Sequence, residues 1–301
     1  MTLPRDLRAG LFTRLPESLH HRGDPTEWVR VTRPGQRLHS FLEGPCIGAD
    51  GTLWLVDVPY GRIFAIAPSG EWTLAHAYPG EPHGLARLPD GSLAVTDYRQ
   101  GVLRFDPVAG TLAPIVARTN TEAFRGLGDI TRGPDGSLWF TDPGRSSLTD
   151  PTGRLFRLRP GQHAAQPVLV NVPYPNGVAL SPDGRFVYLA VTRANAVWRL
   201  MADAPDPLLP MAGVFLSLSG GLGPDGLAVD RHGRIAIAQA QAGRALLFDR
   251  LGDPLARIRL PEGLWTTSVA FTPDGDALLI VEAETASIYR AELADIPATA
   301  P

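Results

Sequence analysis

Residues 43–57 (EGPCIGADGTLWLVD) decide the fold, because close variants of this stretch occur five more times along the chain. Its centre, Asp50-Gly51, lies between two apolar runs. This dipeptide favours the two-residue turn of a β-hairpin, which needs positive φ at both central positions. The equivalent turns are Asp90-Gly91, Asp135-Gly136, Asp183-Gly184, His232-Gly233 and Asp274-Gly275. The sequence therefore repeats one β-hairpin six times.

Each hairpin is followed by a third apolar run and by a looser fourth one. The third runs are residues 62–66, 102–105, 154–158, 196–200, 244–248 and 287–291. The first repeat begins at Glu43 and the last at Thr267, so five intervals span 267 − 43 = 224 residues, or about 45 per repeat. Four strands per unit at this period are typical of a β-propeller. We therefore predict an all-β, six-bladed β-propeller.

The repeat also defines the domain organisation. We predict an N-terminal extension wrapping the propeller (1–27), a single six-bladed propeller (28–293) and a C-terminal tail (294–301). The last repeat runs out after three strands. Residues 28–32 alternate polar and apolar side chains like a strand, so we expect them to supply the missing fourth strand and close the ring.

Composition limits the class of partner. The net charge of −3 arises from 28 basic and 31 acidic residues without a long run of either sign, which indicates neither nucleic acid nor an anionic membrane surface. A small-molecule substrate remains possible, and the oligomeric state is left open. Cys46 is the only cysteine, so no intramolecular disulfide can form. The first residues lack the apolar core typical of a signal peptide, and no apolar run reaches the length of a membrane span, so we expect a cytoplasmic location.

One position of the repeat, seven residues before each turn, begins the innermost strand of each blade. It is occupied by Glu43, His83, Gly128, Asn176, Asp225 and Thr267. These residues are expected to converge on the channel axis. A wet channel could simply tolerate polar residues, but two carboxylates and an amide brought together cost free energy unless a cation or hydrogen bonds compensate. Such oxygen ligands suit Ca²⁺ first, then Mg²⁺ or Mn²⁺, and His83 would make zinc or iron possible.

Several segments together resemble the gluconolactonase and senescence-marker-protein family, to which diisopropyl fluorophosphatase is structurally similar. They are residues 43–45 (EGP), 140–143 (FTDP), 175–183 (PNGVALSPD), 223–230 (GPDGLAVD) and 266–271 (TTSVAF). The resemblance extends from about residue 38 to 293. It implies a divalent cation on the propeller axis, held by Glu43, Asn176 and Asp225. It also implies hydrolysis of lactones, with some relatives accepting other esters or phosphofluoridates.

The chain departs from this family at two ring positions. Gly128-Asp129 stands where the family usually has Asn-Asp, and His83 stands where Asn is more usual. Two hypotheses follow. Either His83 supplies the hydrogen bond or proton transfer that Gly128 cannot, or Gly128 opens room for a bulkier substrate.

The expected mechanism is attack of water on a cyclic ester, with the cation polarising the carbonyl and activating the water. Asp225 is the first candidate for accepting the proton, and His83 is the second because its ordinary pKa suits neutral pH. Alternatively, His83 could be a hydrogen-bonded residue of the channel wall that takes no part in catalysis.

Arg125, Asp142 and Tyr60 are further candidates for substrate contact, in addition to Gly128. Each has a plainer interpretation: Arg125 could be an exposed loop residue, and Asp142 could bond nearby backbone amides, as could Asp57 and Asp97 at equivalent strand ends. The loop that contains Arg145, Ser146 and Ser147 could rim the mouth of the channel.

Two other functions remain open at this point. One is a metal-dependent phosphotriester or aryl-ester hydrolase that uses the same ion. The other is a non-catalytic ligand-binding propeller with a structural calcium, since propellers host many functions and the fold alone proves none.

Overall fold

The structure is a computed structural model that describes residues 4–203 and 210–299. It consists of six antiparallel sheets, each built around four strands, and the predicted six-bladed β-propeller is confirmed. Two strands, β1 (Arg5–Arg8) and β2 (Gly10–Arg14), precede the first blade.

The strands of the blades follow the predicted repeat. Blades one to three contain β3 (Leu42–Ile47), β4 (Leu53–Asp57), β5 (Arg62–Ile66), β6 (Trp72–Ala77), β7 (Pro82–Arg87), β8 (Leu93–Asp97), β9 (Gly101–Asp106), β10 (Thr111–Val116), β11 (Ile130–Arg132), β12 (Leu138–Asp142), β13 (Gly153–Leu158) and β14 (Gln166–Val172). Blades four to six contain β15 (Pro175–Leu180), β16 (Phe186–Val191), β17 (Ala196–Met201), β18 (Gly213–Ser217), β19 (Gly223–Val229), β20 (Ile235–Ala240), β21 (Arg244–Phe248), β22 (Pro254–Arg259), β23 (Thr266–Phe271), β24 (Ala277–Glu282) and β25 (Ser287–Glu292).

The first strands of the blades, β3, β7, β11, β15, β19 and β23, form the innermost ring. Each contacts the first strand of the next blade, and β23 contacts β3, so the ring is closed. Apolar side chains fill the space between adjacent blades: Leu55 and Phe64 of the first blade pack in one buried cluster with Val281 of the sixth.

The N-terminal segment closes the ring, but by a different strand from the predicted one. Strand β2 pairs antiparallel with β25, from Gly10 opposite Arg290 to Arg14 opposite Ser287, and becomes the fourth strand of blade six. Strand β1 pairs parallel with β22 and adds a fifth strand to blade five. The N-terminal strands therefore belong to the sheets of the propeller.

The predicted strand at residues 28–32 is wrong, because this stretch lies in helix α1 (Glu27–Thr32). The side chain of Thr26 caps the helix by accepting a hydrogen bond from the backbone N–H of Val29 at 3.4 Å. Glu27 lies in the first turn, where a negative charge is favourable. The alternating pattern was too short to distinguish one turn and a half of helix from a strand.

The other helices in the described part of the chain are three short 3-10 turns, Glu17–Leu19, Val58–Tyr60 and Thr192–Ala194. None of the helices in this part is long and apolar enough to cross a membrane.

Threonine hydroxyls connect neighbouring blades close to the channel. Thr141 donates to the backbone oxygen of Asn176 at 2.8 Å, and Thr192 donates to that of Pro224 at 2.7 Å. Thr267 closes the series by donating to the backbone oxygen of Leu42 at 2.8 Å. These bonds fix one innermost strand against the next, so the ring positions are held by backbone contacts.

Buried acids at the ends of the second strands hold the loops that enter the first strands. We call Asp57, Asp97, Asp142 and Glu282 the loop-holding acids. Asp57 accepts the backbone N–H of Phe41 at 2.7 Å, and Asp97 accepts that of Glu81 at 2.8 Å. The predicted bonding of backbone amides by Asp57, Asp97 and Asp142 is confirmed.

Candidate active site at the channel mouth

Five of the six ring positions meet at a cavity of about 690 Å³ at one end of the channel. The residues that line it from this ring are Glu43, His83, Gly128, Asn176 and Asp225. The sixth, Thr267, does not line the cavity, because its side chain is fully buried and its hydroxyl bonds the neighbouring blade. The repeat register therefore places these five residues together, as expected from the sequence.

Glu43 and His83 form a direct pair. Nδ1 of His83 lies 2.9 Å from Oε2 of Glu43. Burial alone would lower the pKa of the imidazole, but the charge and hydrogen bond of Glu43 raise it above its ordinary value. The other ring nitrogen, Nε2, is buried and has no hydrogen-bond partner among the described residues. His83 therefore has one nitrogen held in place and one available to a bound molecule.

Asp225 is the most strongly perturbed acid of the site. Burial raises its pKa well above the ordinary value, and the charges of Glu43 and Asp129 raise it further, while the Asn176 amide has the opposite effect. The pKa of Asp129 is raised to about 7, chiefly by burial. The three acids thus lie close enough to repel one another in a site with little water.

Asp129 is a feature that the analysis of the sequence missed, although it directly follows the third ring position. Its carboxylate accepts the backbone N–H of Ile130 at 2.8 Å and that of Val178 at 3.1 Å, joining blades three and four. It lines the cavity at the other end of the channel, of about 420 Å³. Asp129 therefore acts on Asp225 through its charge and lies outside the lining of the first cavity.

Asn176 is held from both sides. Its amide Nδ2 donates to the hydroxyl of Thr192 at 3.3 Å, and its backbone oxygen accepts the hydroxyl of Thr141. Two residues earlier, Tyr174 has φ = 63°, a left-handed conformation that costs free energy for a residue with a side chain. Tyr174 lines the cavity, and its backbone N–H donates to Ser146 Oγ at 3.0 Å. No sequence pattern indicated this residue.

The donor set fits a hard divalent cation. Glu43 and Asp225 supply carboxylates and Asn176 supplies an amide oxygen, which are the ligand types that Ca²⁺ takes. The mutual repulsion that raises the pKa of Asp225 is the imbalance that a bound cation would relieve. Within residues 4–203 and 210–299, no three His, Cys, Asp or Glu side chains are grouped as a metal site. The proposed set has only two such residues, with the amide of Asn176 as its third.

Gly128 is required by close packing on its own blade. An added Cβ would lie 2.9 Å from the hydroxyl oxygen of Thr141 and 3.2 Å from two ring carbons of Pro143. The space that an Asn would occupy is therefore already taken in part by Thr141 and Pro143. This observation weighs against the hypothesis that Gly128 opens extra room for substrate.

The remaining predicted contact residues lie outside the lining of this cavity. The Tyr60 hydroxyl donates to the backbone oxygen of Leu38, and its ring stacks on His21 with centroids 3.7 Å apart. Asp142 is fully buried as a loop-holding acid. Arg125 donates to the backbone oxygen of Thr152 and faces a surface groove on blade three. In contrast, Arg145, Ser146 and Ser147 do line the cavity.

The N-terminal segment forms one wall of the cavity, which the repeat could not predict. Trp28 and Val31 of α1 line it, and the ring of Trp28 lies 5.1 Å from that of Phe41. Arg33, directly after α1, places its guanidinium carbon 3.2 Å from the ring centroid of Trp265. This wall of the cavity thus combines apolar side chains with both Glu27 and Arg33, whereas Glu43 and Asp225 lie on the channel side.

This fold and cavity define a six-bladed β-propeller with a polar site at one mouth of its channel. The family model described as SMP-30/Gluconolactonase/LRE-like region matches residues 41–284, and the chain belongs to this family. The matched region includes every ring position and begins just before Glu43.

Individual relatives are more distant. The lactonase drp35 of Staphylococcus epidermidis is 26% identical over 267 residues, covering 84% of this chain and 80% of that protein. Among solved structures, a gluconolactonase from Xanthomonas campestris superposes with a TM-score of 0.75 at 22% identity, covering 94% of this chain and 98% of that one. A calcium-binding protein, regucalcin, from Agrobacterium tumefaciens gives a TM-score of 0.73 at 23% identity, covering 96% and 95%. The two structures support the fold.

Proposed function

We propose that the protein is a metal-dependent lactonase that opens a cyclic ester with water. The observation that carries the proposal is the convergence of Glu43, Asn176 and Asp225 at the base of the cavity, with His83 beside them. The names of the drp35 and gluconolactonase relatives support lactone hydrolysis as the reaction. Membership of the same family supports assigning that reaction to this chain.

Glu43, Asn176 and Asp225 would hold the cation, with Ca²⁺ as the first candidate and Mn²⁺, Zn²⁺, Fe²⁺ or Mg²⁺ as alternatives. When bound, such an ion polarises a carbonyl oxygen and promotes the ionisation of water. The calcium-binding relative supports the choice of Ca²⁺. The residues around the cation keep the ligands in place: Thr192 bonds the Asn176 amide, and His83 bonds Glu43.

Side chains of the protein would accept the proton from the attacking water. In lactone hydrolysis the acyl carbon–oxygen bond of the ring breaks, a bond to the water oxygen forms, and a hydroxy acid is released. We assign proton acceptance from water to the Asp225 carboxylate, with His83 Nε2 as the second candidate because this atom is buried and unpartnered among the described residues. The aromatic wall of Trp28, Phe41 and Trp265 would limit access of bulk water.

A panel of γ- and δ-lactones tests the proposal. Protein is stripped with a chelator and then supplied with one of the five ions, and acid release is followed at constant pH against a blank without protein. We expect ring opening only with metal. Ring opening by metal-free protein would refute the mechanism, and calcium binding without turnover of any lactone would indicate a binding propeller with a structural ion.

A further inference from the structure

The charges around the cavity are not evenly paired. Four acids and four arginines line it: Glu27, Glu43, Glu81, Asp225, Arg33, Arg99, Arg145 and Arg193. Arg99 is paired with Glu27 at 2.9 Å and with Glu81 at 2.8 Å, and Glu43 is paired with His83. Among residues 4–203 and 210–299, no acid lies within ion-pair distance of the other three arginines. We call Arg33, Arg145 and Arg193 the unpaired arginines.

Arg33 is the most enclosed of the three. Its guanidinium carbon lies over two aromatic rings, 3.2 Å from the centroid of Trp265 and 4.9 Å from that of Phe41. Its Nε is buried and makes no hydrogen bond in the part of the chain that the structure describes. Stacking satisfies the faces of a guanidinium but not its edge, where the N–H donors lie. A rigid donor edge is therefore left for something outside the protein.

Arg145 and Arg193 also line the cavity and are exposed. Arg145 lies close enough to Tyr98 for its charge to act on the Tyr98 hydroxyl, and the guanidinium carbon of Arg193 lies 5.5 Å from the centroid of the Tyr174 ring. Tyr98 and Tyr174 both line the cavity, so each arginine is directed by an aromatic side chain of the wall. Three cations from three separate segments thus surround one opening.

We infer that the substrate carries its own negative charge, a carboxylate or a phosphate on the lactone, and that the unpaired arginines bind this group, with Arg33 as the principal contact. This inference rests on the proposed lactonase function and specifies its substrate class. Guanidinium groups bind carboxylate and phosphate through paired N–H donors, and such charge-assisted bonds are about twice as strong as neutral ones. A lactone with only hydroxyl substituents would offer these donors neutral acceptors, which form weaker hydrogen bonds.

A matched set of substrates separates charge from ring shape. Glucono-1,4-lactone, glucaro-1,4-lactone and 6-phosphoglucono-1,4-lactone share one ring and differ only at C6, which is a hydroxymethyl group, a carboxylate or a phosphorylated hydroxymethyl group. We expect kcat/KM to be at least about tenfold higher for one of the two anionic lactones. The anionic lactone with the higher kcat/KM shows whether the site prefers a carboxylate or a phosphate.

Substitutions then assign the effect to the arginines. Arg33→Gln is expected to raise KM for the preferred anionic lactone about tenfold or more, with little change for the neutral one, and Arg33→Lys to restore part of the loss. Arg132→Gln is the matched control, because this exposed arginine lines the cavity at the opposite end of the channel. Arg145→Gln and Arg193→Gln repeat the test at exposed sites, so the result does not depend on the packing of Arg33.

Equal kcat/KM for the neutral and anionic lactones, or an equal loss of both in Arg33→Gln, would overturn the inference. If no lactone is opened, the proposed function fails, and calorimetric binding of glucarate and 6-phosphogluconate against gluconate decides the charge inference separately. Binding of glucarate or 6-phosphogluconate at least about tenfold tighter than gluconate, and lost in Arg33→Gln, would support it. Equal binding of gluconate, glucarate and 6-phosphogluconate would exclude it.

Discussion

Asp142, a loop-holding acid of blade three, and Asp225, an acid of the channel in blade five, are both buried. Asp142 accepts backbone N–H bonds from Arg125 and Gly126 at 2.8 and 2.9 Å, together with the Arg154 guanidinium at 2.9 Å. Asp225 instead has two other carboxylates, Glu43 and Asp129, close enough to raise its pKa. Asp142 thus has several hydrogen-bond donors around it, whereas Asp225 has two carboxylates beside it.

This difference shows that the direction of a pKa shift does not by itself identify a functional acid. Burial raises the pKa of Asp142 as it does that of Asp225. For Asp142 the neighbouring groups oppose the shift, whereas for Asp225 the neighbouring acids add to it. The sign of the neighbouring contributions separates an acid that holds a loop from an acid that requires a cation or a substrate.

The largest expected effect is on activity at the channel. Asp225→Asn keeps the size of the side chain but removes the charge, so we expect kcat of the lactonase reaction to fall about 10²–10⁴-fold. Thermal unfolding without metal should not shift downward, because the substitution also removes repulsion from Glu43 and Asp129. Full activity in Asp225→Asn would contradict the role of this residue, and a lower Tm would contradict the comparison.

At a loop-holding acid we expect the opposite pattern, in which a substitution lowers the stability of the fold. Asp142→Ala removes one of the two carboxylate partners of the buried Arg154, which keeps Glu122, and leaves two backbone N–H groups without their acceptor. We therefore expect the free energy of unfolding to fall by about 3–5 kcal/mol. Denaturant titration measures this loss. Asp276→Ala, which removes an exposed aspartate, serves as the control and should change stability by less than about 0.5 kcal/mol. If Asp142→Ala lowers the free energy of unfolding no more than Asp276→Ala does, the Asp142 carboxylate does not stabilise this loop.

A smaller effect is expected from the cation itself. Free Ca²⁺ at about 100 times its Kd should raise the free energy of unfolding by about 2.7 kcal/mol, since an ion that binds only the folded state stabilises it. Thermal melts with and without the ion measure this increase. Glu43→Gln should abolish most of it, whereas removal of an exposed acid should not. An equal increase in Glu43→Gln would place the ion elsewhere.

Much of the fold could be predicted because it repeats. Six copies of one hairpin fix the blades, and the same register places Glu43, His83, Asn176 and Asp225 together even though they are far apart in sequence. Asp142 and Tyr60 show the limit of this reasoning. Residues near the end of a second strand face the loops of their own blade, so a functional interpretation of a motif there competes with a structural one.

The parts that could not be predicted come from outside the repeat. The helix at Glu27–Thr32 and the stacked Arg33 have no equivalents in other blades, and no pattern of spacing indicates them. The prediction that residues 28–32 form the closing strand failed for the same reason. Residues 10–14 and 28–32 are both short and amphipathic, and only pairing with β25 distinguishes them.

The pairing of Gly10 with Arg290 also has a consequence for synthesis of the chain. The strand that completes the last blade leaves the ribosome before any of the six blades, and its partner emerges 290 − 10 = 280 residues later. While these residues are being synthesised, β2 lacks the sheet that it joins in the folded protein. Glu43 and Asp225 are fixed in a closed ring only when blade six docks onto blade one. Nascent chains that stop short of residue 287 should therefore be without the site, however many blades they contain.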